Sequence, residues 1–188
     1  MPGRAPGLHL AETGRAQAQR VAERIAALSP APSAIYASPL ERTQETAAPI
    51  AKALGLRVRS HKGLLEAGVG RWEGKQLKAL NKMPEWHTVV NWPTGFRFPG
   101  GESFAEMSLR ALNTVLALAD EHKGERLVLV SHADPIKVIV AAAAGIPLDM
   151  FQRIMISPCS VSAVAIGPGP PFVLCINSTG SLAELVSS

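Results

Sequence analysis

The stretch Arg126–Lys137, which reads RLVLVSHADPIK, decides the fold of this chain. Four apolar residues in a row, Leu127–Val130, predict a strand that is buried on both faces. Asp134 is a good N-cap and Pro135 a good first helical residue, so a helix should begin almost at once. Open α/β sheets bind anions at such a place, against the free N–H groups of a helix start. His132 is therefore a candidate functional residue, the alternative being a histidine that only caps a local hydrogen-bond network.

A second stretch repeats this arrangement of strand, cap and helix. Residues 34–37 predict a short strand, after which Ser38 is the expected N-cap and Pro39 the first residue of a helix ending at Gly55. Arg42 then lies in the first helical turn, where the helix dipole disfavours a cation. A cation placed against that preference suggests a bound anion, the alternative being an ordinary surface charge.

Glu66 lies in a third stretch, LLEAGVGRWEG at 64–74. Its leucine and glycine neighbours predict partial desolvation and a raised pKa, which is the condition for a general acid near neutral pH. An ordinary loop glutamate is the alternative. The stretch is not a dinucleotide-binding fingerprint, because Glu73 stands where that motif needs glycine, and the chain has no P-loop string.

The rest of the chain alternates between predicted helices and strands. A helix should reach about Leu28, a capping box at 103–106 should open a long helix, and strands at 160–166 and 172–176 should form an antiparallel hairpin. These elements predict one domain over residues 1–188, a three-layer α/β/α sandwich with a mostly parallel sheet and a tail from about residue 178. The irregular segment 75–101 is read either as packing aromatics or as a flap that covers a pocket.

The amino-acid composition argues against several classes of protein. With 47% apolar and 18% charged residues the chain should be compact and soluble, and no apolar run approaches the ~20 residues of a membrane span. Cys159 and Cys175 are not in a C-x-x-C pair, so neither a disulfide framework nor a zinc site is expected, and a reducing cytoplasm is the simplest setting. The net charge of +4 comes without a lysine or arginine block, so no nucleic-acid partner is expected.

Five strings taken in order carry a family resemblance: LAETGRAQA, YASPLERTQETA, LLEAGVGRWEG, FPGGES and VSHA. Together they resemble the histidine phosphatase superfamily, the phosphoglycerate mutase-like proteins. The resemblance runs from Gly3 to about Ile176. Each string alone is a modest signal, but five in this order and spacing are specific.

The resemblance implies phosphoryl transfer through a phosphohistidine, without a metal or cofactor. His132 matches the second histidine, which donates to a phosphate oxygen, and Arg42 matches an arginine that clamps two others. Glu66 matches the acid that protonates the leaving group. Arg4 lies where the family often has another polar pocket residue, a weaker transfer. Ala133 replaces the usual glycine after the histidine. The resemblance places it with Arg42, His132 and Arg4 among the phosphate-binding residues, and its methyl group is expected to narrow the approach to the phosphate slightly.

One departure from the family is serious, because the chain has no Arg-His-Gly motif and no first strand. His9 cannot substitute, since neither an arginine nor an apolar strand precedes it. Either the chain starts at an internal methionine and roughly 15–25 further residues precede it, or the protein lacks the nucleophile. The chain as given is expected to be inactive in both cases.

The function predicted from the sequence is that of a phosphomonoesterase acting on a small phosphorylated metabolite. A phosphoglycerate mutase-type phosphomutase ranks below it, because the segment between Glu66 and Ser103 is short compared with glycolytic mutases of the family. A catalytically silent protein that binds a phosphorylated metabolite is the other alternative. A homodimer is possible through the hairpin edge near Phe172.

Overall fold

The computed structural model describes residues 1–180, so the last eight residues of the predicted tail lie outside the described part. In chain order the helices and strands are α1 (Glu12–Ala26), β1 (Ala34–Ala37), α2 (Glu41–Leu54), β2 (Val58–Ser60), α3 (Leu77–Leu80), α4 (Pro84–Asn91), α5 (Phe104–Glu121), β3 (Leu127–Val130), α6 (Ala133–Ala143), β4 (Val161–Ala165) and β5 (Phe172–Ser178).

The central sheet is parallel, with β1 in the middle. β2 and β3 flank it, and the register places Ala37 opposite both Ser60 and Val130. β4 and β5 form a separate antiparallel hairpin, as predicted. Within residues 1–180 no strand pairs with the second edge of β3.

Helices cover both faces of this sheet. Successive side chains of a strand point to opposite faces, so alternate residues of β1 pack against different helices. Ile35 and Ala37 of β1 pack in one core cluster with buried residues of α1 and α2. Ala34 and Tyr36 pack in another, with Leu118 of α5. The predicted α/β fold with helices on both sides of a mostly parallel sheet is confirmed.

The burial of β3 differs from the prediction. Val130 is buried, but Leu127, Val128 and Leu129 are only partly buried. The physical reason is the unpaired edge, since a strand with a neighbour on one side only leaves part of its side chains uncovered.

Two predicted helix caps are also corrected. The cap of α2 is Leu40 and that of α6 is His132, and neither uses a side-chain hydrogen bond. Ser38 lies two positions before the cap of α2, and its hydroxyl is hydrogen-bonded both to His132 at 2.8 Å and to the N–H of Leu40 at 3.5 Å. Asp134 falls inside the first turn of α6 and lies beside Lys137. By contrast, the capping box of Ser103 with the residue three positions later is confirmed.

The segment 75–101 contains two short helices, α3 and α4, where the sequence showed no regular pattern. Phe96 and Phe98 are buried and belong to an aromatic cluster with Trp72 and Phe104, with ring centroids 5.0–6.2 Å apart. Phe96 and Phe98 are therefore packing residues of the core, as in the first of the two readings of this segment. Trp92 is the exception and is 60% exposed.

The hairpin carries exposed apolar side chains on β5, namely Phe172, Leu174 and Ile176. Pairing of this edge with a second copy of the chain stays a prediction. None of the helices within residues 1–180 combines the length and the apolar character needed to cross a membrane.

Candidate active site

The candidate site lies where β1 and β3 end side by side. The backbone N–H of Ser38 donates to the carbonyl of Val130 at 2.9 Å, so the residues that follow the two strands meet at one edge of the sheet. There His132 Nε2 and Ser38 Oγ are hydrogen-bonded at 2.8 Å, and both side chains are buried. The contact fixes the orientation of the imidazole ring.

Arg42 projects from the first turn of α2 toward the N-terminal loop. Its Nη2 donates to the carbonyl oxygen of Gly3 at 2.9 Å. Its Nη1 is buried and has no hydrogen-bond partner among the described residues. A buried cationic N–H group without an acceptor is costly, which points to an anion that completes this site.

The electrostatics of His132 follow from its surroundings. Burial is the main cause that lowers its pKa to about 3, and the charges of Arg42 and two further arginines lower it more. The imidazole is therefore neutral at pH 7. A bound anion would oppose both effects, because it supplies the negative charge that the site lacks.

Glu66 lies in the loop after a short 3-10 turn at 62–64 and is partly exposed. Burial raises its pKa to about 8, and the negative charge of Asp134 adds to the rise. The prediction of a raised pKa is confirmed. The charge of Arg42 lowers the pKa of this carboxyl as it lowers that of His132, so the three predicted residues lie close enough to influence one another electrostatically.

Arg4 and Ala133 are the two other residues predicted to bind phosphate and, unlike Arg42, neither has a buried side-chain N–H group that lacks an acceptor among the described residues. The guanidinium of Arg4 donates from Nε to the backbone carbonyl of Glu66 and from Nη2 to Glu102 Oε2, each at 2.8 Å. Ala133 is exposed and is the first residue of α6, where backbone N–H groups have no helical acceptor. Phosphate binding by either residue stays a prediction.

Sequence reasoning missed several residues of the site. Ser38 was expected only as a cap, and Asp134 beside Lys137 was not connected with Glu66. Glu102 and Arg110, which form ion pairs beneath the Glu66 loop, were not singled out at all. No signal along the chain marks these contacts, because most of them join residues far apart in sequence.

The arrangement is suited to acid-assisted chemistry on an anion. It offers a half-buried arginine with a buried N–H group that has no acceptor, a neutral histidine and a carboxylic acid that is still protonated near neutral pH. Within residues 1–180, no cluster of three or more His, Cys, Asp or Glu side chains is placed to hold a metal ion.

Comparison with known families agrees with this geometry. The family model described as histidine phosphatase superfamily (branch 1) matches residues 2–179. The chain belongs to the histidine phosphatase superfamily. Among curated members of the superfamily, phosphoserine phosphatase 1 of Hydrogenobacter thermophilus is 30% identical over 187 residues, covering 97% of this chain and 88% of that protein. A protein named probable phosphoglycerate mutase GpmB, from Cronobacter sakazakii, is 36% identical over 157 residues, covering 82% of this chain and 72% of that protein.

Solved structures of histidine phosphatase relatives have the same fold. YhfR of Bacillus stearothermophilus superposes with a TM-score of 0.87 at 27% identity, over 96% of this chain and 89% of that one. Phosphoserine phosphatase of Entamoeba histolytica, solved in complex with 3-phosphoglyceric acid, gives a TM-score of 0.85 at 26% identity, over 95% and 88% of the two chains.

Proposed function

We propose that this protein is a phosphomonoesterase that works through a phosphohistidine. The observation that carries the proposal is Arg42 Nη1, which is buried without an acceptor next to the neutral His132. A phosphate ester supplies the missing acceptor, since an arginine can hold two phosphate oxygens and cannot lose its proton.

Each site residue has a role in the proposed reaction. A nucleophilic histidine forms an N–P bond while the P–O bond to the substrate alcohol breaks, and Arg42 and His132 donate to the phosphoryl oxygens. Glu66, protonated near neutral pH, gives its proton to the leaving oxygen. The resulting carboxylate then takes a proton from the water that cleaves the N–P bond, which restores the acid.

The nucleophile is proposed to lie outside the 188 residues of this chain. Three of the other histidines already have hydrogen-bond partners: His9 contacts Glu45, the His61 ring accepts from Gly63 N, and His122 contacts Tyr36. His87 is exposed on α4. We propose that the chain as given is therefore inactive.

The sheet supports a further strand as the carrier of this nucleophile. β3 has an unpaired edge, and the partly buried Val128 of β3 packs against the same core cluster as Val161 of β4. A strand between them would satisfy the backbone groups of β3 and cover its side chains.

The experiment compares this chain with one extended upstream in its own reading frame. The extended chain should hydrolyse p-nitrophenyl phosphate and accumulate an acid-labile phosphohistidine, detected by quenching with labelled substrate at alkaline pH. The chain as given should show little or no turnover. An extended chain that gives neither turnover nor phosphoenzyme would overturn the proposed activity.

A silent phosphate-binding protein is the rival function, and the absence of a second site histidine among the described residues favours it. It predicts saturable binding of phosphate esters that His132→Ala abolishes, without hydrolysis in any extended chain. A phosphomutase, the remaining alternative, would move the phosphoryl group between two hydroxyls of its substrate instead of releasing phosphate. Measuring phosphate release separates it from the phosphatase.

We propose a small phosphorylated metabolite as the substrate. Relatives named phosphoserine phosphatase and phosphoglycerate mutase support this class, and one is solved with 3-phosphoglyceric acid. A cytoplasmic location stays part of the proposal, consistent with two free cysteines.

A further inference from the structure

An ion cluster of Arg4, Glu102 and Arg110 lies directly beneath the Glu66 loop. Glu102 Oε1 accepts from Arg110 Nε at 2.8 Å, and Oε2 accepts from Arg110 Nη2 at 3.0 Å and from Arg4 Nη2 at 2.8 Å. Oε2 also accepts from the backbone N–H of Gly68 at 3.1 Å. The side chain of Glu102 is 16% exposed, so one carboxylate joins two guanidinium groups in a largely buried place.

The two guanidinium groups hold the main chain of the loop. Arg110 Nη1 donates to the carbonyls of Gly63 and Leu65 at 2.8 and 3.0 Å, and its Nη2 lies 3.4 Å from the carbonyl oxygen of Glu66. Arg4 Nε donates to that same oxygen at 2.8 Å. The backbone of the proposed proton donor is therefore fixed from two sides by cations.

Glu102 is what allows these two cations to converge on one carbonyl oxygen. Two guanidinium groups that both lie within 3.4 Å of the same oxygen repel each other, and a carboxylate between them offsets this repulsion. Burial opposes the charged form of Glu102, but the hydrogen bonds from Arg110 and Gly68 outweigh it and lower the pKa of this carboxyl. Glu102 therefore stays ionised and keeps both arginines in place at neutral pH.

We infer that Glu102 is a positioning residue for Glu66, acting through Arg4 and Arg110 to hold the proton donor in its shielded conformation. The inference rests on the proposed function for the role of Glu66 as proton donor. It goes beyond that function because Glu102 touches neither the Glu66 carboxyl nor Arg42 in the described contacts.

Loss of the Glu102 charge should lower the pKa of the Glu66 carboxyl for two reasons. A released loop admits water, which removes the desolvation that favours the neutral acid. Two uncompensated arginines nearby then favour the carboxylate. Both effects lower the pKa of Glu66 from about 8 toward its ordinary value.

The test is a carboxyl titration by NMR on the chain labelled with ¹³C at glutamate side chains, with the Glu66 signal assigned from Glu66→Gln. In Glu102→Gln the Glu66 midpoint should fall by at least about one pH unit, a tenfold change in its protonation equilibrium. Ser103→Ala is the matched control. It removes the helix cap next to Glu102 and lowers the stability of the protein, but it should leave the Glu66 midpoint in place.

Arg110→Lys provides a second test if Glu102→Gln does not fold. Lysine keeps the positive charge but cannot reach Glu102 and three carbonyl groups together, so the Glu66 midpoint should again fall. A midpoint that is unchanged in a folded Glu102→Gln or Arg110→Lys protein overturns the inference.

The titration separates the inference from the proposed function, because it needs no turnover. If the extended chain is active, Glu102→Gln should also move the loss of kcat at high pH to lower pH by the same interval. If the extended chain is inactive but the midpoint falls as expected, the positioning role holds and the proposed phosphatase activity fails.

Discussion

Arg4 and Arg110 differ from Arg42 in what neutralises their charge, although all three side chains are partly shielded from solvent. Arg4 and Arg110 share the carboxylate of Glu102 and direct their other N–H groups to backbone carbonyls. Arg42 forms no salt bridge with any described residue, and its Nη1 has no acceptor. Arg4 and Arg110 therefore hold the main chain, whereas we propose that Arg42 binds a ligand, because a desolvated cationic N–H group without an acceptor is stabilised when an anion arrives.

The largest expected difference between Arg42 and the paired arginines is in their contribution to phosphate binding. Arg42→Ala should weaken the binding of inorganic phosphate by at least about 100-fold, since it removes a charge-assisted donor from the site. Arg4→Ala should weaken it by less than about tenfold, because its guanidinium is already engaged. Isothermal titration calorimetry on the folded variants measures both, with the exposed Arg57→Ala as a control of equal charge change. Equal losses in Arg42→Ala and Arg4→Ala would contradict the distinction.

The second effect concerns the histidine that faces the unpaired cation. His132 has a folded-state pKa of about 3 against an ordinary value of 6.5, so the stability linked to it is present above pH 6.5 and is lost as pH falls toward 3. Urea unfolding at pH 7 and pH 4 should show a loss of roughly 3 kcal/mol in the wild type beyond that in His132→Asn.

Phosphate provides the control for this second effect. Bound phosphate should reduce the excess acid sensitivity of the wild type, because its negative charge favours the protonated imidazole. Arg42→Ala should reduce it as well, since Arg42 is one cause of the lowered pKa. Identical pH dependence in wild type and His132→Asn would show that His132 is not a buried neutral histidine.

The smallest of the three effects concerns the backbone beneath the paired arginines. A Cβ on Gly101 would overlap the carbonyl oxygen of Gly68, which accepts from the N–H of Glu102 at 2.7 Å. Gly101→Ala should therefore lower the free energy of unfolding by roughly 1–3 kcal/mol, measured by urea denaturation. Gly167→Ala is the control, because a Cβ there meets no atom within 4 Å. A Gly101→Ala protein as stable as Gly167→Ala would mean that the two loops are not closely packed.

Much of the fold could be predicted from the chain because its signals are local. Apolar periodicity located α1 and α5, the capping box marked the start of α5, and Gly55 ended α2 in the left-handed conformation. The segment 75–101 could not be assigned, because helices of four and eight residues carry too few turns to show a period. The half-burial of β3 was also missed, since it depends on what lies beside the strand and not on the strand itself.

The candidate site also has features that the sequence predicts and features that only the structure shows. The positions of Arg42 and His132 follow from their strands, because parallel strands end at one edge of the sheet. The raised pKa of Glu66 was predictable from its apolar and glycine neighbours. The contact of His132 with Ser38 joins residues 94 positions apart, and no pattern in the sequence announces it.

The sequence by itself determined the order of the main elements outside 75–101, the family and the residues that follow β1 and β3, since these depend on neighbours along the chain. Only the tertiary structure decided which arginine keeps a buried N–H group without an acceptor. Arg4 and Glu102 are 98 positions apart, and their ion pair forms because the fold packs the N-terminal loop against the start of α5. Charge neutralisation is a property of distances in space, so residues of one type in similar sequence surroundings can be structural in one place and functional in another.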